Sequence, residues 1–173
     1  MSLFSNIQID IDILPKSEDL DLIPISAKYF KIILINICFI YAIFVGILLA
    51  LYSFADDSGI NEVFWYLIGL ICTLCIISIV MYYIGFKKRM YAMREKDMTY
   101  SHGYLVNKTV TLPYNRIQHI EIARSFLARK LGLSTLKIYS AGQSGGDIAV
   151  KGLPKDVADT QYAFLIKIIN ERS

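Results

Sequence analysis

Charged side chains are absent from two long stretches of this 173-residue chain. Residues 32–54 form a run of 23, and residues 63–86 a run of 24, without Asp, Glu, Lys, Arg or His. Neither run therefore carries the ionisable groups expected of a proton or ion relay through a membrane. Their polar side chains include Asn36, Thr73 and Ser78, which are predicted to form hydrogen bonds between apolar helices.

Cysteine and histidine are scarce, with three and two residues respectively. All three cysteines lie in the uncharged runs. The Cys72-x-x-Cys75 spacing therefore indicates membrane-embedded cysteines rather than a redox motif or a disulfide framework. His102 and His119 have no Cys or His partner at metal-ligand spacing. No nucleophile, base and orienting group form a recognisable set, so the sequence predicts neither a metal site nor a catalytic centre.

Each uncharged run is long enough to cross a membrane as a helix. At about 1.5 Å per residue, either run spans roughly 35 Å, and a hydrocarbon core is about 30 Å thick. A helix pairs every backbone group within lipid, whereas two segments cannot close a barrel. The sequence therefore predicts a transmembrane helical hairpin over residues 28–86, with its helices at about 32–54 and 63–86.

The charges beside the hairpin predict its orientation. The link at residues 55–62 holds three acidic residues and no Lys or Arg, whereas two lysines precede the first run. Lys87, Lys88 and Arg89 follow the second run. Because Lys and Arg near membrane-spanning ends stay inside, both termini are predicted to be cytoplasmic. The basic triplet is predicted to contact the anionic membrane surface.

Positive charge is concentrated after the hairpin. Residues 87–173 contain 15 basic and 7 acidic side chains, a net charge of +8, whereas the rest of the chain carries −5. Such a domain is expected to lie against an anionic membrane. Nucleic acid is the rival partner, but the sequence has no clear recognition helix, RNP-like aromatic motif or zinc-finger spacing, so no nucleic-acid partner is predicted.

The first 27 residues form a separate acidic segment. Isoleucine occupies every second position from Ile7 to Ile13, which is the periodicity of a strand. Two interpretations remain open: a partly disordered leader, or an edge strand added to a sheet of this chain or of another.

Residues 87–173 have the pattern of a small β-rich domain. Strands are predicted at residues 90–93, 98–104, 108–112, 117–122, 135–140 and 148–150. Ser125 to Leu131 indicates a short helix that ends at Gly132, and Pro154 can begin a carboxy-terminal helix with an apolar stripe. The predicted fold class is α+β: a transmembrane hairpin followed by an antiparallel sheet or partial barrel that the last helix caps.

Basic side chains in this domain are the candidate contact residues. Arg116, Arg124, Arg129 and Lys130 either form structural ion pairs and a solvated face, or contact a partner or anionic lipid. The glycine-rich segment 142–146 is either a plain hairpin turn or a loop whose backbone N–H groups bind an anion.

Three segments resemble bacterial pleckstrin-homology-like membrane proteins of the YdbS type. They are residues 113–120 (PYNRIQHI), residues 126–136 (FLARKLGLSTL) and the glycine-rich residues 141–147. Pro24, Ala27 and Tyr29 also match the lead-in to the first helix of that family. The similarity covers most of residues 20–170.

The resemblance implies a strongly bent sheet of up to seven strands with a terminal helix, and neither enzyme activity nor a cofactor. It also implies a multi-pass protein of the bacterial inner membrane. Some family members are similar to larger neighbours with several copies of the domain, which suggests a membrane complex. The leading hypothesis is an anchored module that binds a membrane-protein partner, and the alternative is binding of an anionic lipid surface.

Overall fold

The structure is a computed structural model that describes residues 20–54, 60–104, 106–140 and 148–171. The isoleucine alternation at residues 7–13 and the glycine-rich segment 142–146 lie outside the described residues. The elements, in chain order, are β1 (Ile23–Pro24), α1 (Lys28–Ser53), α2 (Ile60–Lys87), β2 (Met90–Met93), β3 (Asp97–His102), β4 (Lys108–Pro113), β5 (Ile117–Ala123), α3 (Phe126–Lys130), β6 (Leu133–Ser140), β7 (Ile148–Pro154) and α4 (Lys155–Asn170).

Two helices, α1 and α2, are long and apolar enough to cross a membrane. Only 6% of the most apolar stretch of α2 is buried, whereas a core helix of a soluble protein would be buried along most of its length. Exposed isoleucine, leucine and phenylalanine side chains cover both helices, so their surfaces require an apolar solvent. The predicted pair of apolar helices is confirmed.

Polar contacts between α1 and α2 are few. The hydroxyls of Tyr41 and Ser78 lie 2.7 Å apart and form a hydrogen bond between the helices, as predicted for Ser78. The same prediction is wrong for Thr73, whose hydroxyl donates to the Gly69 carbonyl of its own helix at 2.8 Å. Threonine can satisfy its hydroxyl in this way without a partner helix.

The strands form two antiparallel sheets, one in the order β1-β2-β3-β4 and the other in the order β5-β6-β7. A short 3₁₀ helix, Tyr114–Arg116, connects them. The predicted fold class is confirmed, since two apolar helices are combined with antiparallel strands and a terminal helix. The sheets do not close into a barrel.

Strand β1 lies before the long helices in sequence but pairs with the strand that follows them. Its residues Ile23 and Pro24 pair with Tyr91 and Met90 of β2. The Ile25 amide then donates to the Arg89 carbonyl at 3.3 Å, and the Ser26 amide donates to the Gly152 carbonyl of β7 at 3.0 Å. Both ends of the helical hairpin are thus fixed in the β-rich domain. The sequence predicts that this domain begins at residue 87 and does not predict the pairing with β1.

An apolar core lies between the two sheets. Its fully buried side chains include Met98, Leu136, Ile138, Val150, Leu153 and Leu165. Leu165 and Ala158 come from α4, which packs mainly on the second sheet through one face of its apolar stripe. This packing agrees with the prediction that the last helix caps the sheet.

The first turns of α1 also pack directly on the domain. Ile32 lies with Ala128 and Leu133 in a second apolar cluster. Gly152 of β7 has φ +81°, and a Cβ atom built there would lie 2.6 Å from Cβ of Tyr29. Only glycine tolerates both this backbone conformation and this close approach, so α1 sits tightly against β7.

Candidate membrane-proximal site

The domain has two ends relative to the long helices. His102 and Lys108 are paired residues of β3 and β4, and both line a cleft with Met81 of α2. We call this the proximal end. Asp97 and Pro113 pair at the other end of the same strands, about 17 Å away at 3.4 Å per residue, which we call the distal end.

The basic triplet folds back onto aromatic side chains at the proximal end. Lys87 Nζ lies 4.8 Å from the centre of the Tyr83 ring. Lys88 Nζ donates to the backbone carbonyl of Tyr104 at 3.2 Å, and Arg89 Nη2 donates to the Tyr104 hydroxyl at 3.4 Å. These contacts hold two of the three cations beside the connection between β3 and β4.

A cleft of about 640 Å³ opens between the end of α2 and that connection. Its lining residues are Met81, Tyr82, His102, Gly103, Tyr104, Val106 and Lys108. Tyr104 can pack on α2 because Gly85 has no side chain, since a Cβ atom there would overlap the Tyr104 ring. The cleft therefore has one wall from the apolar helix and one from the β-rich domain.

His102 is surrounded by positive charge. Partial burial, and then the nearby Arg89 and Lys108, hold the pKa of His102 below its usual value. Its ring stacks on Tyr100 with a centroid separation of 4.9 Å. Its Nδ1 atom is buried and has no hydrogen-bond partner among the described residues. The cleft is thus lined by the cation of Lys108 and by an imidazole whose buried Nδ1 atom has no partner among the described residues.

Helix α3 lies beside α1 at the same end. Ser125 caps it by accepting a hydrogen bond from the Ala128 amide, and Ala128 faces Ile32 of α1. Phe126 points away from this packing and is 62% exposed. Lys130 Nζ lies 4.9 Å from the centre of the Phe126 ring, so α3 presents an aromatic ring and a cation together.

The side chain of Arg124 is bonded to other elements of the domain and is not part of the exposed face of α3. Its Nε donates to Ser134 Oγ at 2.9 Å, and its Nη2 donates to Asp159 Oδ1 of α4. Ser134 is 1% exposed, so Arg124 satisfies a buried hydroxyl and ties α4 to the second sheet. A lipid or partner contact by this residue stays a prediction.

Arg116 lies apart from the other candidate residues. It ends the short 3₁₀ helix after Pro113, at the distal end, and its side chain is exposed. Arg129 is also exposed, but on α3 at the proximal end. The structure thus brings the basic triplet together beside α2, places Arg129 and Lys130 beside α1, and separates Arg116 from both groups.

Three residues of the cleft and of α3 were missed as candidates: His102, Lys108 and Phe126. Lys108 and His102 flank a turn at Gly103, whose φ is +151°, so the turn that brings them opposite each other was the available signal. For Phe126 the signal was an aromatic residue within one turn of Arg129 and Lys130. Within the described ranges, no group of three or more His, Cys, Asp or Glu could hold a metal ion.

Comparison with protein families gives one match. The family model described as "Bacterial PH domain" matches residues 25–172 of the chain, which includes the long helices and every strand except β1. No curated protein and no solved structure matches the chain. The finer assignment to the YdbS type stays a prediction.

Proposed function

Because the chain belongs to the bacterial PH domain family, we propose that it is a non-enzymatic, membrane-anchored module that binds a membrane-protein partner. The pairing of β1 with β2 across the helical hairpin carries the proposal. The domain cannot swing freely on a single linker, because both ends of the hairpin are built into its sheet. It is therefore held in a defined position for a partner in the same membrane.

The charges around the hairpin support a cytoplasmic position for the domain. Lys87 and Arg89 at the end of α2, together with Lys28 at the start of α1, are on the side of the domain, whereas the link carries only acidic charge. The positive-inside rule then puts both termini in the cytoplasm and the link outside. In a bacterium with two membranes, this is the inner membrane.

The distal end is the surface that such an anchor leaves available. Asn115, Arg116, Gln118 and His119 are exposed there, around a register shift between Ile117 and His119. Exposed polar groups at a bulge commonly serve recognition rather than packing. A larger membrane protein with several related domains is the partner class that the family resemblance favours.

A photo-crosslinking amino acid at Gln118 in the full chain tests this proposal. Irradiation of native membranes should give one discrete heavier species, and Arg116→Glu should reduce its yield, because the charge reversal disturbs the distal surface. The matched controls are the crosslinker at Asn107, at the proximal end, and the charge reversal Lys155→Glu. Absence of any crosslinked species, with purification of the chain alone from several detergents, would contradict the proposal.

The alternative function is contact with the anionic lipid surface through Arg129 and Lys130. The position of α3 beside Ile32 supports it, because Ile32 is the first residue of the uncharged run of α1. Phe126 and the cations would then lie at the headgroup level, where aromatic rings are favoured.

Tryptophan fluorescence can measure the depth of α3. In a Trp65→Phe background, which removes the single native tryptophan, we expect Phe126→Trp to be strongly quenched by lipids brominated near the headgroup end of the acyl chain. Phe164→Trp is the control, because Phe164 is a half-exposed ring of α4 that packs near Tyr114. Equal quenching at both positions would show that α3 is not at the bilayer.

A further inference from the structure

We propose that the cleft between α2 and the β3–β4 connection binds one anionic phospholipid, with its phosphate at His102 and Lys108. The acyl chains would lie along Met81 and Tyr82 of α2. The proposal rests on the membrane placement of the hairpin given above, but it is independent of the protein partner and of α3. It assigns a discrete ligand site in place of a general attraction to the membrane surface.

The charge of the cleft favours an anion. His102 and Lys108 are directly paired across the β3–β4 hairpin, and Arg89 Nη2 donates to the hydroxyl of Tyr104, which also lines the cleft. No carboxylate forms a salt bridge with Arg89 or Lys108 within the part of the chain that the structure describes. Like charges held together without a counter-ion are destabilising, and a bound phosphate would remove that repulsion.

The shape of the cleft favours a lipid over a soluble anion. Met81 and Tyr82 belong to the uncharged run of α2, and Val106 in the opposite wall is 79% exposed. A soluble phosphate would leave this apolar surface in water. A phospholipid would cover it with its acyl chains while the phosphate reached the cations, so the two halves of the ligand match the two walls.

His102 provides a second, independent reason for a ligand. Its buried Nδ1 atom has no partner among the described residues, and a buried polar atom that lacks a hydrogen bond is costly. Rotation of the ring toward the cleft would let this nitrogen, once protonated, donate a hydrogen bond to a phosphate oxygen. Binding would therefore reverse the effect of Arg89 and Lys108 on this ring and raise the pKa of His102.

Native mass spectrometry of the detergent-solubilised full chain tests the site, with phosphatidylglycerol as the probe. We expect one tightly bound lipid, no equivalent binding of phosphatidylcholine, and about tenfold weaker binding in Lys108→Gln, as for loss of one charge-assisted hydrogen bond. Lys96→Gln is the matched control, because Lys96 is an exposed cation next to Asp97 at the distal end. Equal losses in both variants, or equal binding of phosphatidylcholine, would overturn the proposal.

Two further measurements distinguish the sources of the anion. Binding of soluble glycerol phosphate as tight as that of phosphatidylglycerol would show a soluble ligand and overturn the lipid assignment. In nanodiscs, NMR titration should give a higher pKa for His102 when phosphatidylglycerol replaces phosphatidylcholine. If Lys108→Gln retains the Gln118 crosslink while it loses lipid, the lipid site and the partner surface are separate.

Discussion

Replacing Gly152 with alanine is expected to destabilise the protein by about 2–5 kcal/mol. Gly152 has φ +81°, a conformation that costs a residue with a Cβ atom about 1–2 kcal/mol. The new Cβ would also lie 2.6 Å from Tyr29 Cβ and 2.7 Å from its Cγ. Because these atoms are next to the backbone of α1, relief requires α1 to move away from β7, which adds about 1–3 kcal/mol of overpacking.

Gly132→Ala is the matched control for this experiment. Gly132 also has positive φ, at +67°, but a Cβ atom there would have no neighbour within 4 Å. It should therefore carry the conformational cost alone. Thermal unfolding in a mild detergent should give a clearly larger loss for Gly152→Ala than for Gly132→Ala.

The double variant Gly152→Ala with Tyr29→Ala completes the cycle. It should be less destabilised than the two single effects predict, because the overlap is relieved. Equal losses for the two glycine variants, together with additive behaviour of the double variant, would mean that α1 does not rest on β7 in solution. The defined position of the domain, on which the proposed function depends, would then be lost.

The elements that the sequence predicted well are those with a local signal. The two long helices follow from uncharged length, and α3 follows from Ser125 and Gly132, which cap its ends as expected. The strand around Leu136 alternates in burial as its sequence pattern predicts, whereas a register shift in β5 places both Ile117 and Ile120 on the buried side. In each case the residues that specify the element are neighbours in the chain.

The junction between helices and domain could not be predicted in this way. Strand β1 has only two residues, one of them Pro24, and therefore shows no periodicity. Its partner Tyr91 is 68 positions after Ile23 in the chain, beyond the whole hairpin. The tight contact of Tyr29 with Gly152 is similarly a property of two distant backbones, so the lead-in was assigned to the acidic segment.

For the candidate site, the sequence predicted the type of residue involved but not which of those residues lie together. The sequence indicated that basic side chains matter, but it could not separate Arg124, which is bonded to Ser134 and Asp159, from Arg129, which is exposed. It also gave no sign that Lys108 and His102 line one cleft with Met81 and Tyr82, because that arrangement depends on the fold of β3 and β4 against α2. The role of each basic residue therefore depends on the groups that it contacts in the folded protein, and not on its charge alone.

Tyr114 is expected to have the other large effect on stability. It is 1% exposed, its hydroxyl donates to the Arg94 carbonyl at 2.7 Å, and its ring meets Phe164 of α4 edge-on at 6.0 Å. It therefore joins the β2–β3 turn, the connection between the sheets and the last helix. Tyr114→Ala should cost about 3–5 kcal/mol, as for other buried aromatic residues.

Tyr114→Phe should cost about 1–2 kcal/mol, because it leaves the ring in place and removes one buried hydrogen bond. Tyr139→Phe is the control, since the Tyr139 hydroxyl bonds to Glu121 on the outer face of the second sheet and should contribute little. Chemical or thermal unfolding in detergent gives the order. A cost for Tyr139→Phe as large as that for Tyr114→Phe would contradict the interpretation.

The same hydroxyl makes a further prediction for alkaline pH. Burial, and then the nearby Asp97, raise the pKa of Tyr114 to about 12 in the folded protein, compared with about 10 in the unfolded chain. Because the folded state holds this proton more tightly, its contribution to stability is complete below about pH 10 and is lost as the pH rises to about 12. Unfolding midpoints between these pH values should therefore fall more steeply for the native chain than for Tyr114→Phe. Parallel slopes for the two proteins would show that the hydroxyl is not held in the buried hydrogen bond with Arg94.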